Sequence, residues 1–253
     1  MHLKAAAVAA VVAVCSLSLP AKGITSGVAV AAADSRFDAV GGFTLREWQG
    51  INNVFGNATL IAPDRVILAR HLINSTFKNR KSTDGAAAQY VVRFRRRPDG
   101  GVGDLNDPST FYHVRVKEWL LPTGRTDADD VVIGILDTSV VHIAPVTIDF
   151  KAKLSKNAPV TLASWGPEAP PTGVVPKGRL VVGATRVSSW SKTKFSLAAA
   201  TTAAPSRPVL NDSGSPVLLV GGASVRLVGF ITTTGGGVSV AQLDGSRLMP
   251  RRR

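Results

Sequence analysis

Cysteine is nearly missing from this chain of 253 residues: Cys15 is alone, and it sits inside an apolar leader. The rest of the molecule therefore has no disulfide and no cysteine pair for a metal, and must hold together through its core. There is no His-Glu-x-x-His stretch and no tight cluster of carboxylates with histidines, so no structural or catalytic metal is expected. A Gly-x-Ser-x-Gly elbow is missing, which disfavours an α/β-hydrolase. Walker-type and dinucleotide glycine loops are missing too, and no cofactor is expected. No stretch carries apolar residues at helical spacing over three turns.

Acidic residues are also scarce, with 17 Asp and Glu against 30 Lys and Arg, for a net charge of +13. A surplus of this size favours acidic partners, nucleic acid or an anionic cell surface. The cations gather at Lys78, Arg80 and Lys81, at Arg93 and Arg95 to Arg97, and in the tail Arg251-Arg252-Arg253. Aromatic residues do not alternate with them as a base-stacking platform requires, and neither a zinc-finger nor a helix-turn-helix pattern occurs. Solvated loops of a basic secreted protein account for the clusters, and no nucleic-acid partner is expected.

What is present begins with MHLK followed by AAAVAAVVAVCSLSL, a short basic segment and an apolar one too short to span a bilayer comfortably. This reads as a secretory signal, with small residues for cleavage at Ala31-Ala32-Ala33, and hence a leader over 1–33. Removing it takes away Lys4 and Lys22, so +13 becomes +11. The expected product is extracellular or periplasmic, without stable membrane insertion, and monomeric. Beyond the leader the apolar residues come in short β-branched runs such as TLIA, RVILA, YVVRF, VVIGIL, VTLASW and RLVGFI, separated by Gly, Pro, Asn, Asp and Ser clusters. Such runs are strands, and this many of them make an all-β protein of two packed barrels or sandwiches. The proline-flanked HIAPVTIDFKAKLSKNAP serves as the crossover, giving halves at 34–145 and 146–253.

Near the end of the chain stands NDSGSP, Asn211 to Pro216, between a proline-rich loop and the run VLLVGG. A tight turn alone accounts for these residue types. A catalytic serine, however, requires a base within hydrogen-bonding reach and a third group to orient that base. Of the four histidines, His2 lies in the leader, His142 in the crossover, and His113 inside a strand pattern where packing explains it. His71 directly follows the strand-like NATLIAPDRVILAR, at a place where a side chain projects from a strand end. Asp129 and Asp130 close a polar loop at the mouth of VVIGIL, and Asp130 is the nearer to the strand. A carboxylate there is held in low dielectric and is able to orient an imidazole.

These stretches together resemble the trypsin-like serine peptidases of the chymotrypsin fold. GNATLIAPDRVILARHLI is similar to the family's strand, turn and strand ending in Ala-x-His; DADDVVIGILD to its acid and apolar strand; NDSGSPVLL to its Gly-Asp-Ser-Gly-Gly-Pro. ASWGPEAP resembles its Gly-Trp-Gly, and RLVGFITTTGGGVSV the strand and rim after the nucleophile, in the family's order, from Gly56 to Leu243. The resemblance implies two antiparallel six-stranded β-barrels with a cleft between them, His71 and Asp130 from the first and Ser213 from the second. It implies a secreted serine endopeptidase acting on protein or peptide substrates through an acyl-enzyme. His71 would be the base, Asp130 its orienting partner and Ser213 the nucleophile, with the backbone N–H groups of Asn211 and Ser213 as oxyanion hole. Asn211 stands in a glycine position of the family, and asparagine tolerates positive φ. Arg207 falls where the trypsin branch has an acid, and Thr232, Thr233 and Thr234 replace Ser-Trp-Gly as a pocket wall, which argues against basic substrates. Asp212 matches the acid that pairs with a freed N-terminal amine, and Ala39-Val40-Gly41-Gly42 is the stretch that resembles such a terminus. The alternative is an inactive relative of the same fold that uses its basic surface to hold acidic polymers or a cell-surface partner.

Overall fold

The computed structural model describes residue 24, residues 27–48, 54–74, 87–104, 107–120, 130–165, 180–191, 194–198, 206, 208, 212–233 and 239–242. Asn211, Arg207, Thr234 and the side chain of Thr233 lie outside the described residues.

Alternating and doubly buried runs become strands as expected. β2 (Val40–Leu45), β3 (Gly56–Ala62), β4 (Arg65–Leu68), β5 (Tyr90–Phe94), β6 (Tyr112–Leu120) and β7 (Val132–Leu136) close into a barrel in the order β2-β3-β4-β7-β6-β5. Every pairing in it is antiparallel. Closure removes the free edges on which a sheet would aggregate. Its lumen is filled by aromatic rings: Phe43 stacks on Tyr90 at 5.0 Å between centroids, and Trp119 meets both edge-on.

A second sheet holds β1 (Val28–Ala29), β8 (Thr147–Ile148), β9 (Pro159–Ser164), β10 (Val181–Trp190), β11 (Lys194–Leu197), β12 (Pro216–Gly221), β13 (Ser224–Thr233) and β14 (Ser239–Gln242). Its neighbours run β1-β10-β11-β14-β13-β12-β9, and β10 also pairs with β9. The segment read as a crossover steps from one body to the other: the Val146 N–H donates to the Leu60 carbonyl of β3, and Thr147 and Ile148 then pair in parallel with Arg226 and Leu227 of β13. A single helical turn, α1 (His71–Asn74), follows β4.

Residues 27–33, placed in the leader by the sequence reading, are built into this body together with Asp34. Val28 and Ala29 pair with Val182 and Val181 of β10. The Arg95 guanidinium donates to the carbonyls of Val30, Ala31 and Asp34, and Arg96 donates to that of Ala32. Both arginines also reach Asp38, at 2.7 and 2.9 Å. Ala39 to Gly42, the stretch that resembled a freed terminus, is instead buried barrel wall. The Cβ a side chain would add at Gly41 would lie 2.4 Å from Val92, which explains a glycine there as close packing.

Among the described residues no helix is long and apolar enough to cross a membrane.

Candidate active site

The β4–β7 register brings the imidazole and its carboxylate together. Leu68 lies opposite Val132, so two residues further on position 70 faces position 130, and the Arg70 N–H donates to the Asp130 carbonyl at 3.3 Å. The chain then leaves β4 through the single turn of α1, whose first N–H groups lack helical partners. The Asp130 carboxylate serves one of them: Oδ1 accepts the His71 backbone N–H at 2.7 Å. Its Oδ2 lies 2.7 Å from the His71 ring Nδ1. A carboxylate accepts, so Nδ1 carries the proton and Nε2 presents its lone pair. With both oxygens on one residue, the ring has neither a free tautomer nor a free orientation. The imidazole keeps 41% of its side-chain surface exposed and the carboxylate 18%, so a substrate can reach the one while the other is sheltered.

Ser213 occupies a turn tied to both bodies. The Ser215 N–H closes the turn onto the Asp212 carbonyl at 2.9 Å, and Gly214 takes a φ of +79°. That value is costly for any residue with a Cβ. A Cβ at Gly214 would also fall 2.1 Å from the Asn57 carbonyl oxygen, so glycine is required twice over. Gly214 and Ser215 exchange hydrogen bonds with Ile231 of β13, while the Asn57 N–H of β3 donates to the Ser213 carbonyl at 2.8 Å. Leu72, next to His71, packs where Gly56 and Gly214 leave room: its methyl carbon would be 2.5 Å from a Cβ at Gly56 and 3.2 Å from one at Gly214. The residue after His71 thus takes up the space beside the residue after Ser213.

Behind the turn, the Asp212 side chain is fully buried. Its Oδ2 accepts the Ile24 backbone N–H at 3.0 Å, and its Oδ1 accepts the Ser164 hydroxyl at 2.5 Å. Ser164 Oγ in turn accepts from Asn57 Nδ2 at 3.2 Å, and Asn57 Oδ1 accepts the Trp165 N–H at 2.7 Å. The Trp165 indole N–H donates to the Val40 carbonyl at 2.7 Å and pins this corner to β2.

The structure therefore joins His71 to Asp130 and seats Leu72 beside Gly214. Of the expected pocket wall it describes the side chain of Thr232, which is buried. Reading residues one at a time missed Ile24, Asn57 and Ser164. Asn57 and Ser164 stand inside the motifs GNATLIA and ASWG, and a polar side chain beside buried strand residues was the available signal. Ile24 offered only an isoleucine after Gly23, at the end of what looks like a leader.

No family model matches the chain, and no curated protein sequence matches it. Among solved structures it is similar to a secreted serine protease, VesC from Vibrio cholerae, with a TM-score of 0.62 and 15% identity. The match covers 86% of this chain and spans 45% of the length of that protein. At this identity the likeness speaks to the fold: a chymotrypsin-like arrangement of a closed six-stranded barrel beside a second sheet.

Proposed function

We propose that this chain is a secreted serine endopeptidase. The observation that carries the reading is the double hold of Asp130 on His71, main chain and ring, with the next residue, Leu72, beside the turn of Ser213. Nε2 of His71 takes the Ser213 proton as the hydroxyl attacks a peptide carbonyl, then returns it to the leaving amine; water hydrolyses the acyl-enzyme by the same route in reverse. The imidazolium formed on the way is stabilised by Asp130 through Nδ1. The N–H groups of Ser213 and Asn211 take the developing oxyanion; one such donor is typically worth about 3 kcal/mol. Arg207 and Thr232 to Thr234 form the pocket and favour acidic or small polar side chains over basic ones. The enzyme works as a monomer without a cofactor.

Two finer points belong to the same proposal. The second sheet is a second barrel, which the pairing of β9 with both β12 and β10 supports. The working chain begins at Ile24: a charged amine there would neutralise the buried Asp212 carboxylate, whereas cutting after Ala33 would discard β1 and the carbonyls held by Arg95 and Arg96.

The test is a fluorophosphonate probe with the exported protein. Labelling at Ser213 that disappears in Ser213→Ala and falls steeply in His71→Ala is expected. A folded protein that stays unlabelled, with His71→Ala no different, leaves the basic binding module as the better reading.

A further inference from the structure

We propose that Asn57 and Ser164 are positioning residues of this site: they hold the Asp212 carboxylate in place and so set the turn that presents Ser213. The inference rests on the peptidase reading above and adds to it two residues that touch no substrate.

The polarity of the hydrogen bonds gives the chain of contacts a single direction. A backbone N–H only donates, so Trp165 N fixes which end of the Asn57 amide is oxygen. The amide nitrogen is thereby turned to Ser164, 3.2 Å away, as a donor. Ser164 Oγ, already accepting, sends its own proton to Asp212 Oδ1 at 2.5 Å. A carboxylate with no exposed surface depends on such donors in place of water, and serial bonds of one polarity strengthen one another.

Asn57 also grips the turn from its other side, since its backbone N–H donates to the Ser213 carbonyl. One residue of the first barrel therefore fixes the turn on either side of the nucleophile, directly at Ser213 and through Ser164 at Asp212. Ser164, at the end of β9, brings in the second sheet. The two bodies are thereby joined by polar contacts at the turn that carries Ser213. Misplacement of a nucleophile is costly to catalysis. The arrangement has a further consequence: Oδ1 of Asp212 is held independently of residue 24, which serves Oδ2 alone in this network. The turn is accordingly supported before any cut frees an amine at Ile24.

The experiment measures inactivation by a fluorophosphonate, as the maximal rate and the half-saturating concentration, on the exported full chain and two variants. Ser164→Ala removes one oxygen and adds no atom, so the fold is retained. The maximal rate is expected to fall about tenfold or more, from the loss of one buried hydrogen bond to a charged group, with the half-saturating concentration within about twofold. Asn57→Asp keeps the acceptor for Trp165 N but replaces the donor facing Ser164 with a second acceptor. It is expected to lose at least as much, with circular dichroism unchanged. Wild-type labelling together with unaltered rates in both variants overturns this proposal and leaves the peptidase reading standing. Equal losses in rate and in half-saturating concentration that follow a fall in Tm also overturn it, because they mark a merely structural role. No labelling of the wild type overturns the peptidase reading and this proposal with it.

Discussion

His71 and Asp130 show how little separates a solvated loop from a site. What distinguishes Asp130 from any other loop acid is a pair of hydrogen bonds of 2.7 Å to one residue. Asp130→Asn keeps the shape but turns an acceptor into a donor at one position, which favours the wrong histidine tautomer. Peptidase kcat is expected to fall about 10⁴-fold while KM changes little, measured on a chromogenic peptide. Gly214 permits a second test. With φ at +79° and the Asn57 oxygen 2.1 Å from where a Cβ would stand, Gly214→Ala must displace the turn. Labelling of Ser213 is expected to be lost even though the protein stays folded. Ser215 is the opposite case: it is fully buried, and its hydroxyl has no hydrogen-bond partner among the described residues. Ser215→Ala removes a desolvated group that gains nothing, and an increase of about 1 kcal/mol in unfolding free energy by denaturant titration is expected.

The elements are joined by a few polar contacts that periodicity does not reveal. The segment 30–34 has no core of its own and lies on the body because Arg95 and Arg96 hold its carbonyls while Asp38 holds both arginines. Asp38 and Arg95 keep only 6% and 5% of their side-chain surface, so the ion pair is desolvated and removing one partner strands the other. Asp38→Ala is expected to lower Tm by on the order of 10 °C, the response to about 3–5 kcal/mol in a chain of this size. The run Arg95-Arg96-Arg97 reads in sequence as a solvated cationic cluster. In the structure its first member is a buried strut, because the fold brings the carbonyls of Val30, Ala31 and Asp34 and the Asp38 carboxylate within its reach.

Across the molecule as a whole, His113 is a group whose burial makes stability depend on pH. His113 on β6 lies opposite Arg93 of β5, and burial, reinforced by the charge of Arg93, pushes its pKa down to about 4. The unfolded chain binds that proton near pH 6.5 and the folded chain not until about 4, so stability is lost as pH falls through that window. The partial exposure of His113 limits the effect, and a Tm reduction of a few degrees between pH 6.5 and 4, absent in His113→Gln, is expected from thermal melts.

Short β-branched runs bounded by turn residues were enough to read an all-β chain, because alternation of side chains across a strand is a local property that burial imposes directly. The pairing of His71 with Asp130 was legible because both stand at the ends of strands whose register brings those ends together. The partnership of Ile24 with Asp212, 188 residues apart, was not, and neither was the relay from Trp165 through Asn57 and Ser164. Those contacts depend on how one closed barrel sits against the second sheet. Strand periodicity says which face of a strand is buried but carries no information about which distant buried group will meet it, and that meeting is settled when the two bodies pack.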